Sequence, residues 1–144
     1  MNTQPLRVIH CGTGTAGALA LADMLQNPEM EVVGLLVHSD EKAGKDAGLI
    51  VGQDSCGVLA TAKYEELVSL EADAVCYMML TPNLEQIAGF LQSGKTVVTT
   101  SGLMHPRYAA PMIEERLLSA CEEGNSSLFT TGINPGWVDE SLPL

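Results

Sequence analysis

The chain has 144 residues, 46% of them apolar, which is the size of one domain with one core able to bury roughly 68 to 70% of its unfolded surface. It carries 7 Lys and Arg against 18 Asp and Glu, a formal net charge of −11 with no basic cluster, so nucleic acid and anionic membrane are not expected partners. An anionic ligand would have to be held locally, by backbone N–H groups at a helix N-terminus.

Along the chain, apolar runs rich in β-branched residues alternate with segments of helical period, the pattern of βαβ units around a parallel sheet. Arg7 to Cys11 reads as a first strand running into Gly12-Thr13-Gly14-Thr15-Ala16-Gly17. After that turn Ala16, Leu19, Ala20 and Leu25 recur at helical spacing until Asn27-Pro28 stops the helix. Glu31 to Val37 is a second strand, nearly all apolar, as a strand covered on both faces should be. Lys42 to Gly57 holds Gly44, Gly48, Gly52 and Gly57 and reads as loop with one short helix. Val58 to Thr61 is a short third strand, followed by a helix over Lys63 to Leu70.

Ala74 to Met78 is the fourth strand, and Thr81-Pro82-Asn83 opens a helix whose stripe is Leu84, Ile87, Ala88 and Leu91. Asn83 with Gln86 forms a capping box, and Gly94 ends that helix. Thr96 to Thr100 is the fifth strand; a loop from Ser101 to Pro106 leads to a helix from Ala109 to Glu123, with Pro111 in its first turn and Ile113, Leu117, Ala120 and Cys121 facing inward. Ser127 to Thr131 is the sixth strand. The expected architecture is an α/β doubly wound parallel sheet, a Rossmann fold, over residues 1–136. Residues 137–144, with apolar Trp137, Val138, Leu142 and Leu144, read as the start of a crossover to a C-terminal domain absent from this chain, and their exposed apolar side chains point to a homo-oligomer.

G-x-G-x-x-G alone is weak evidence, but here it closes a strand and opens a helix, so each glycine has a task. Gly12 makes the tight turn, Gly14 lets the backbone approach a pyrophosphate, and Gly17 lets helix and strand pack closely. The N–H groups near Thr13, Thr15 and Ala16 would then face the phosphates of a nicotinamide dinucleotide. The end of the second strand, where an acid would hold the ribose 2′-OH of NAD, has His38-Ser39 instead, with Asp40 and Glu41 just beyond. His38, Ser39 and Lys42 look more like a pocket for the 2′-phosphate of NADP, which is favoured over NAD; the plain alternative is a solvated Lys42 and an idle His38.

In a parallel sheet the ligand sits outside the carboxyl ends of the strands at the switch point between the first strand and the fourth. That rule adds Met79 to Asn83, Thr100 to Pro106 and Gly132 to Trp137 as walls. Thr81, Ser101 and Asn134 are the polar residues placed to meet ribose or carboxamide. His105 could act as acid or base beside a nicotinamide, although service in the turn before Pro106 is the plainer role. His10, within the first strand, is expected to be a core residue with a satisfied ring. No catalytic set can be assembled, so the catalytic residues stay unassigned. Cys11, Cys56, Cys76 and Cys121 have no metal-ligand spacing and are expected to be reduced and mostly buried, with no metal bound. Met1 to Arg7 has no signal-peptide pattern, and no window approaches 18 uninterrupted apolar residues, so a soluble cytoplasmic protein is expected.

Four stretches together resemble the N-terminal domain of the dihydrodipicolinate reductase family, especially its diaminopentanoate dehydrogenase and native amine dehydrogenase relatives. They are Val8 to Gly14, His38 to Gly48, Gly94-Lys95-Thr96-Val97-Val98-Thr99-Thr100-Ser101-Gly102, and Thr131-Gly132-Ile133-Asn134-Pro135-Gly136. The resemblance implies an NAD(P)-dependent oxidoreductase that transfers hydride to a C=N or C=O bond of a small molecule. It also implies a substrate domain beyond Leu144, without which the chain would bind cofactor but not turn over. Some amine dehydrogenase relatives use a glutamate just after the fifth strand, where this chain has Ser101-Gly102. The reading from a different class is a non-catalytic NAD(P)-binding sensor or regulatory subunit.

Overall fold

The computed structural model describes residues 4–103 and 110–132, and all structural statements below concern those residues. Six parallel strands form one sheet in the order β3-β2-β1-β4-β5-β6. They are β1 (Leu6–Cys11), β2 (Met30–Leu36), β3 (Ala60–Thr61), β4 (Ala74–Tyr77), β5 (Thr96–Thr99) and β6 (Leu128–Thr130). The helices between them are α1 (Thr15–Gln26), α2 (Ala47–Ile50), α3 (Tyr64–Val68), α4 (Leu84–Gln92) and α5 (Pro111–Gly124). This is the doubly wound Rossmann order, in which the chain reverses direction across the sheet between β1 and β4.

Two apolar layers follow from the strands' alternation. On one face Ile9, Cys11, Val75, Tyr77 and Val97 pack with Leu67 of α3, with Ile87, Phe90 and Leu91 of α4, and with Leu117 and Ala120 of α5. On the other, Leu21 of α1 and Ala47 of α2 pack with Val32, Leu35 and Ala60. Tyr64 meets the Phe90 ring edge-on at a centroid distance of 5.0 Å, and burial together with nearby anionic groups pushes its phenol up to about 12.

The elements match the sequence pattern, with informative exceptions. The third strand is two residues, not four, because Val58 and Leu59 leave the sheet to pair with the α2 side of the loop: Leu59 bridges Asp46, and Ala47 N–H donates to Val58 O at 2.8 Å. The capping box at α4 is only half formed. Asn83 accepts from Glu85 N and Gln86 N, but its own N–H donates to the Tyr77 hydroxyl, and that hydroxyl donates to Gln86 Oε1 at 3.0 Å. A buried phenol that needs a partner thus takes the place of the glutamine's return bond. Cys56 is exposed rather than buried, and all four cysteines are free.

Asp46 organises the long β2–β3 connection. Its Oδ1 accepts from Gly48 N at 2.9 Å and Cys56 N at 3.0 Å; its Oδ2 accepts from Ser55 Oγ at 2.9 Å and Gly57 N at 2.7 Å. These donors, the Cys56 N–H foremost, hold its carboxyl well below the usual carboxylate range. A depressed pKa in the folded state means stability that is present above the unfolded value near 3.8 and is lost as pH falls past it. Asp46→Asn, which turns an acceptor into an NH2 facing donors, is expected to lower the urea midpoint at pH 7. The gap from wild type should shrink below pH 3.8. Urea titrations at pH 7 and pH 3 check this, and a gap independent of pH would contradict it.

Candidate functional site

The turn that joins β1 to α1 sits at the switch point, and its glycines are required for different reasons. Gly12 has φ of +100°, and a Cβ on it would lie 2.7 Å from the Met78 carbonyl oxygen at the end of β4. Both the left-handed backbone and the approach of β4 therefore demand glycine. A Cβ on Gly17 would strike the Gly12 carbonyl oxygen. Gly14 is different: it is the exposed N-cap of α1, has an ordinary φ of −70°, and a Cβ there meets nothing within 4 Å. The fold leaves open space over this residue.

The first turn of α1 carries no acidic side chain and no side-chain cap. By contrast α2 is capped by Asp46, α4 by Asn83, and the first turns of α3 and α4 contain glutamates. The orphan N–H groups at the start of α1, around exposed Thr15 and Ala16, thus meet no protein anion. Such an end attracts an external one.

Two side chains hold the turn through its carbonyls. His10 is fully buried, and its Nε2 lies 2.7 Å from Gly12 O. Lys42 reaches back from the loop after β2 and donates from Nζ to Thr13 O at 3.1 Å and to Thr13 Oγ1 at 2.9 Å. Lys42 is therefore neither a free solvated lysine nor distant from the glycine turn. His38 is exposed and Ser39 half-buried, just before Lys42 in the loop after β2, and the Ser39 carbonyl accepts from Lys42 N–H at 3.0 Å. The expectation of a satisfied His10 ring needs correction: Nε2 has the Gly12 carbonyl as its partner, but Nδ1 is buried with none. Burial drives the His10 pKa below 6.5, opposed chiefly by its hydrogen bond to the Gly12 backbone.

The other walls are laced together at the strand ends. Met78 N–H donates to Cys11 O at 2.7 Å. Thr99 Oγ1 donates to Tyr77 O at 2.8 Å and accepts from Ser101 N at 3.0 Å, while the Ser101 hydroxyl donates to Met79 O. Ser101 is buried, so its side chain ties the loop after β5 to the loop after β4. Thr81 is exposed in that second loop, beside a Leu80 that is 100% exposed. Asn134 and His105 lie outside the described residues, as do the crossover over 137–144 and the Gly132 to Trp137 wall beyond its first residue.

The structure thus brings together Gly12, Thr13, Gly14, Thr15, Ala16, Gly17 and Lys42 by direct contact or chain adjacency, with His38 and Ser39 at their margin. Sequence reasoning did not find the His10, Tyr77 and Thr99 roles. A histidine two residues before the first glycine, directly after the apolar pair Val8 and Ile9, was the available signal. Among the described residues no cluster of His, Cys, Asp and Glu could hold a metal, and no helix is long and apolar enough to cross a membrane.

No protein-family model matches the chain. It is 34% identical over 143 aligned residues to an amine dehydrogenase of Streptomyces virginiae, covering 92% of this chain and 39% of that protein. Among solved structures it is similar to an amine dehydrogenase from Mycobacterium smegmatis, with a TM-score of 0.80 and 24% identity over 90% of this chain and 40% of that one. Biliverdin reductase from Synechocystis sp. PCC 6803, solved with biliverdin and NADP+, gives a TM-score of 0.66 and 22% identity over 91% of this chain and 39% of that one. The chain spans about two fifths of the length of these relatives. The structural likenesses establish the fold as a Rossmann domain.

Proposed function

We propose that this chain binds a nicotinamide dinucleotide, NADP ahead of NAD, as the cofactor-binding part of an oxidoreductase similar to the amine dehydrogenases and the dihydrodipicolinate reductase family. The observation that carries the reading is the open space over Gly14 at an uncapped, acid-free helix N-terminus, on the switch point of the sheet. That cradle fits a pyrophosphate. Thr13, Gly14, Thr15 and Ala16 would hold it through their N–H groups; His38, Ser39 and Lys42 would hold the adenosine 2′-phosphate; and Thr81 and Asn134 would line the nicotinamide end, with Ser101 tying the loop after β5 to the loop that carries Thr81. When bound, the reduced nicotinamide would supply a hydride to a C=N or C=O carbon of a small molecule, and the oxidised form would take one from the C–H of the corresponding amine or alcohol. The part assigned to residues of this chain is to bind and orient the cofactor. The amine dehydrogenase relative supports this reading over the sensor alternative.

Lys42→Ala tests the cofactor preference. Its ammonium anchors Thr13, and its chain position is in the loop after β2, where a 2′-phosphate would be met. Parallel calorimetric titrations are expected to show NADPH affinity falling roughly tenfold and NADH affinity falling less, so that the ratio narrows. Wild-type protein binding both equally, or a ratio unmoved by the substitution, would overturn the NADP preference. Failure to bind either would overturn the proposed function itself.

A further inference from the structure

We propose that His10 is a positioning residue of the phosphate turn: by drawing the Gly12 carbonyl inward, it fixes the Gly12–Thr13 peptide so that the Thr13 N–H faces the pyrophosphate. The inference rests on the dinucleotide reading above and names a determinant that lies beneath the site, outside the glycine motif.

A trans peptide is planar, with its C=O and N–H pointing in opposite directions. Anchoring a carbonyl therefore aims the amide on the other side of the same bond. The Gly12 oxygen is held between His10 Nε2, at 2.7 Å, and the face of Gly17, where no Cβ could fit. Being locked on the sheet side, it leaves the Thr13 N–H directed away from the sheet. Lys42 acts likewise on the next peptide, since its bond to Thr13 O turns the Gly14 N–H away from that loop. Two consecutive carbonyls are thus secured by side chains, and two consecutive N–H groups are presented at the open space over Gly14. Successive N–H groups so arranged form an anion-binding concavity.

The chemistry of the ring supports the assignment. Burial favours neutral imidazole, which has a single N–H. To donate to a carbonyl oxygen that proton must be on Nε2, which leaves Nδ1 as a bare, buried acceptor with no partner. A buried unsatisfied acceptor is destabilising, and a leucine of similar volume would avoid it. Filling space therefore does not account for histidine at this position, whereas a donor reaching Gly12 O does.

The test compares wild type, His10→Leu and His10→Gln in titrations with NADPH, ADP-ribose and 2′-AMP. His10→Leu is expected to weaken NADPH and ADP-ribose roughly tenfold while leaving 2′-AMP, which has no pyrophosphate, unchanged. His10→Gln, which keeps an N–H at similar reach, should recover most of that loss. Nitrogen NMR of wild type should show the neutral Nε2–H tautomer at pH 7. An unchanged NADPH affinity in His10→Leu, an equal loss for all three ligands, or an Nδ1–H or doubly protonated ring at pH 7 would overturn the role while leaving the dinucleotide reading intact. Wild type binding none of the three ligands would overturn both.

Discussion

Gly14→Val is expected to leave the fold standing and to remove the proposed dinucleotide binding. The substitution adds side-chain atoms where the protein has none within 4 Å, at an N-cap whose φ of −70° any residue adopts. The stability cost is that of a poor N-cap, below about 1 kcal/mol. The added methyls occupy the space through which a pyrophosphate would approach the α1 N-terminus, so the ligand loses both the orphan N–H groups and the favourable end of the helix dipole. Affinity for NADPH is expected to fall at least about 100-fold, equivalent to about 2.8 kcal/mol. Thermal unfolding together with calorimetry on the same sample checks both halves. A variant that binds as well as wild type would remove the pyrophosphate from this turn.

Gly17→Ala should have the opposite balance, with the fold itself suffering. Its Cβ would meet a backbone carbonyl, Gly12 O, that is already fixed by His10 and cannot rotate away cheaply. Separating α1 from β1 to admit one methyl disturbs the layer in which Leu21 packs with Val32 and Leu35. The expected destabilisation is about 3 kcal/mol, at the upper end for overpacking, because the collision is with backbone. Urea unfolding measures it, and a midpoint within error of wild type would show that the helix packs less closely than described. The two glycines, three residues apart, thus separate binding from stability.

Much of this was readable from sequence because its causes are local. The alternation of strand and helical periods gave six strands and their order of appearance, and Gly94 and Pro111 marked a helix end and a helix start through backbone constraints that do not depend on context. The glycine turn was legible for the same reason: strand, turn and helix are contiguous. What could not be read depends on partners distant in sequence. Lys42 is 29 residues from Thr13, and no local rule says that its ammonium caps that carbonyl. Asp46 gathers donors up to 11 residues ahead, so the glycine-rich stretch that read as loop with a short helix is organised by one carboxylate. Ser101 was expected to face the ligand, yet its hydroxyl bonds Met79 O, 22 residues earlier, because β4 and β5 lie side by side. His10 looked like ordinary core, and only the fold of the turn over it shows what its Nε2 reaches.

The negative charge of the chain sharpens the central claim. With a net −11, long-range repulsion opposes an anionic cofactor, and the proposed binding has to come from the few N–H groups and the one lysine gathered at the turn. Affinity should therefore depend on the local geometry far more than on bulk electrostatics. The most direct test is calorimetric titration of the 144-residue chain with NADPH and with NADH, repeated on Gly14→Val. Saturable one-site binding by wild type, tighter for NADPH and lost in the variant, is the predicted result. No heat and no thermal shift with either nucleotide would contradict it.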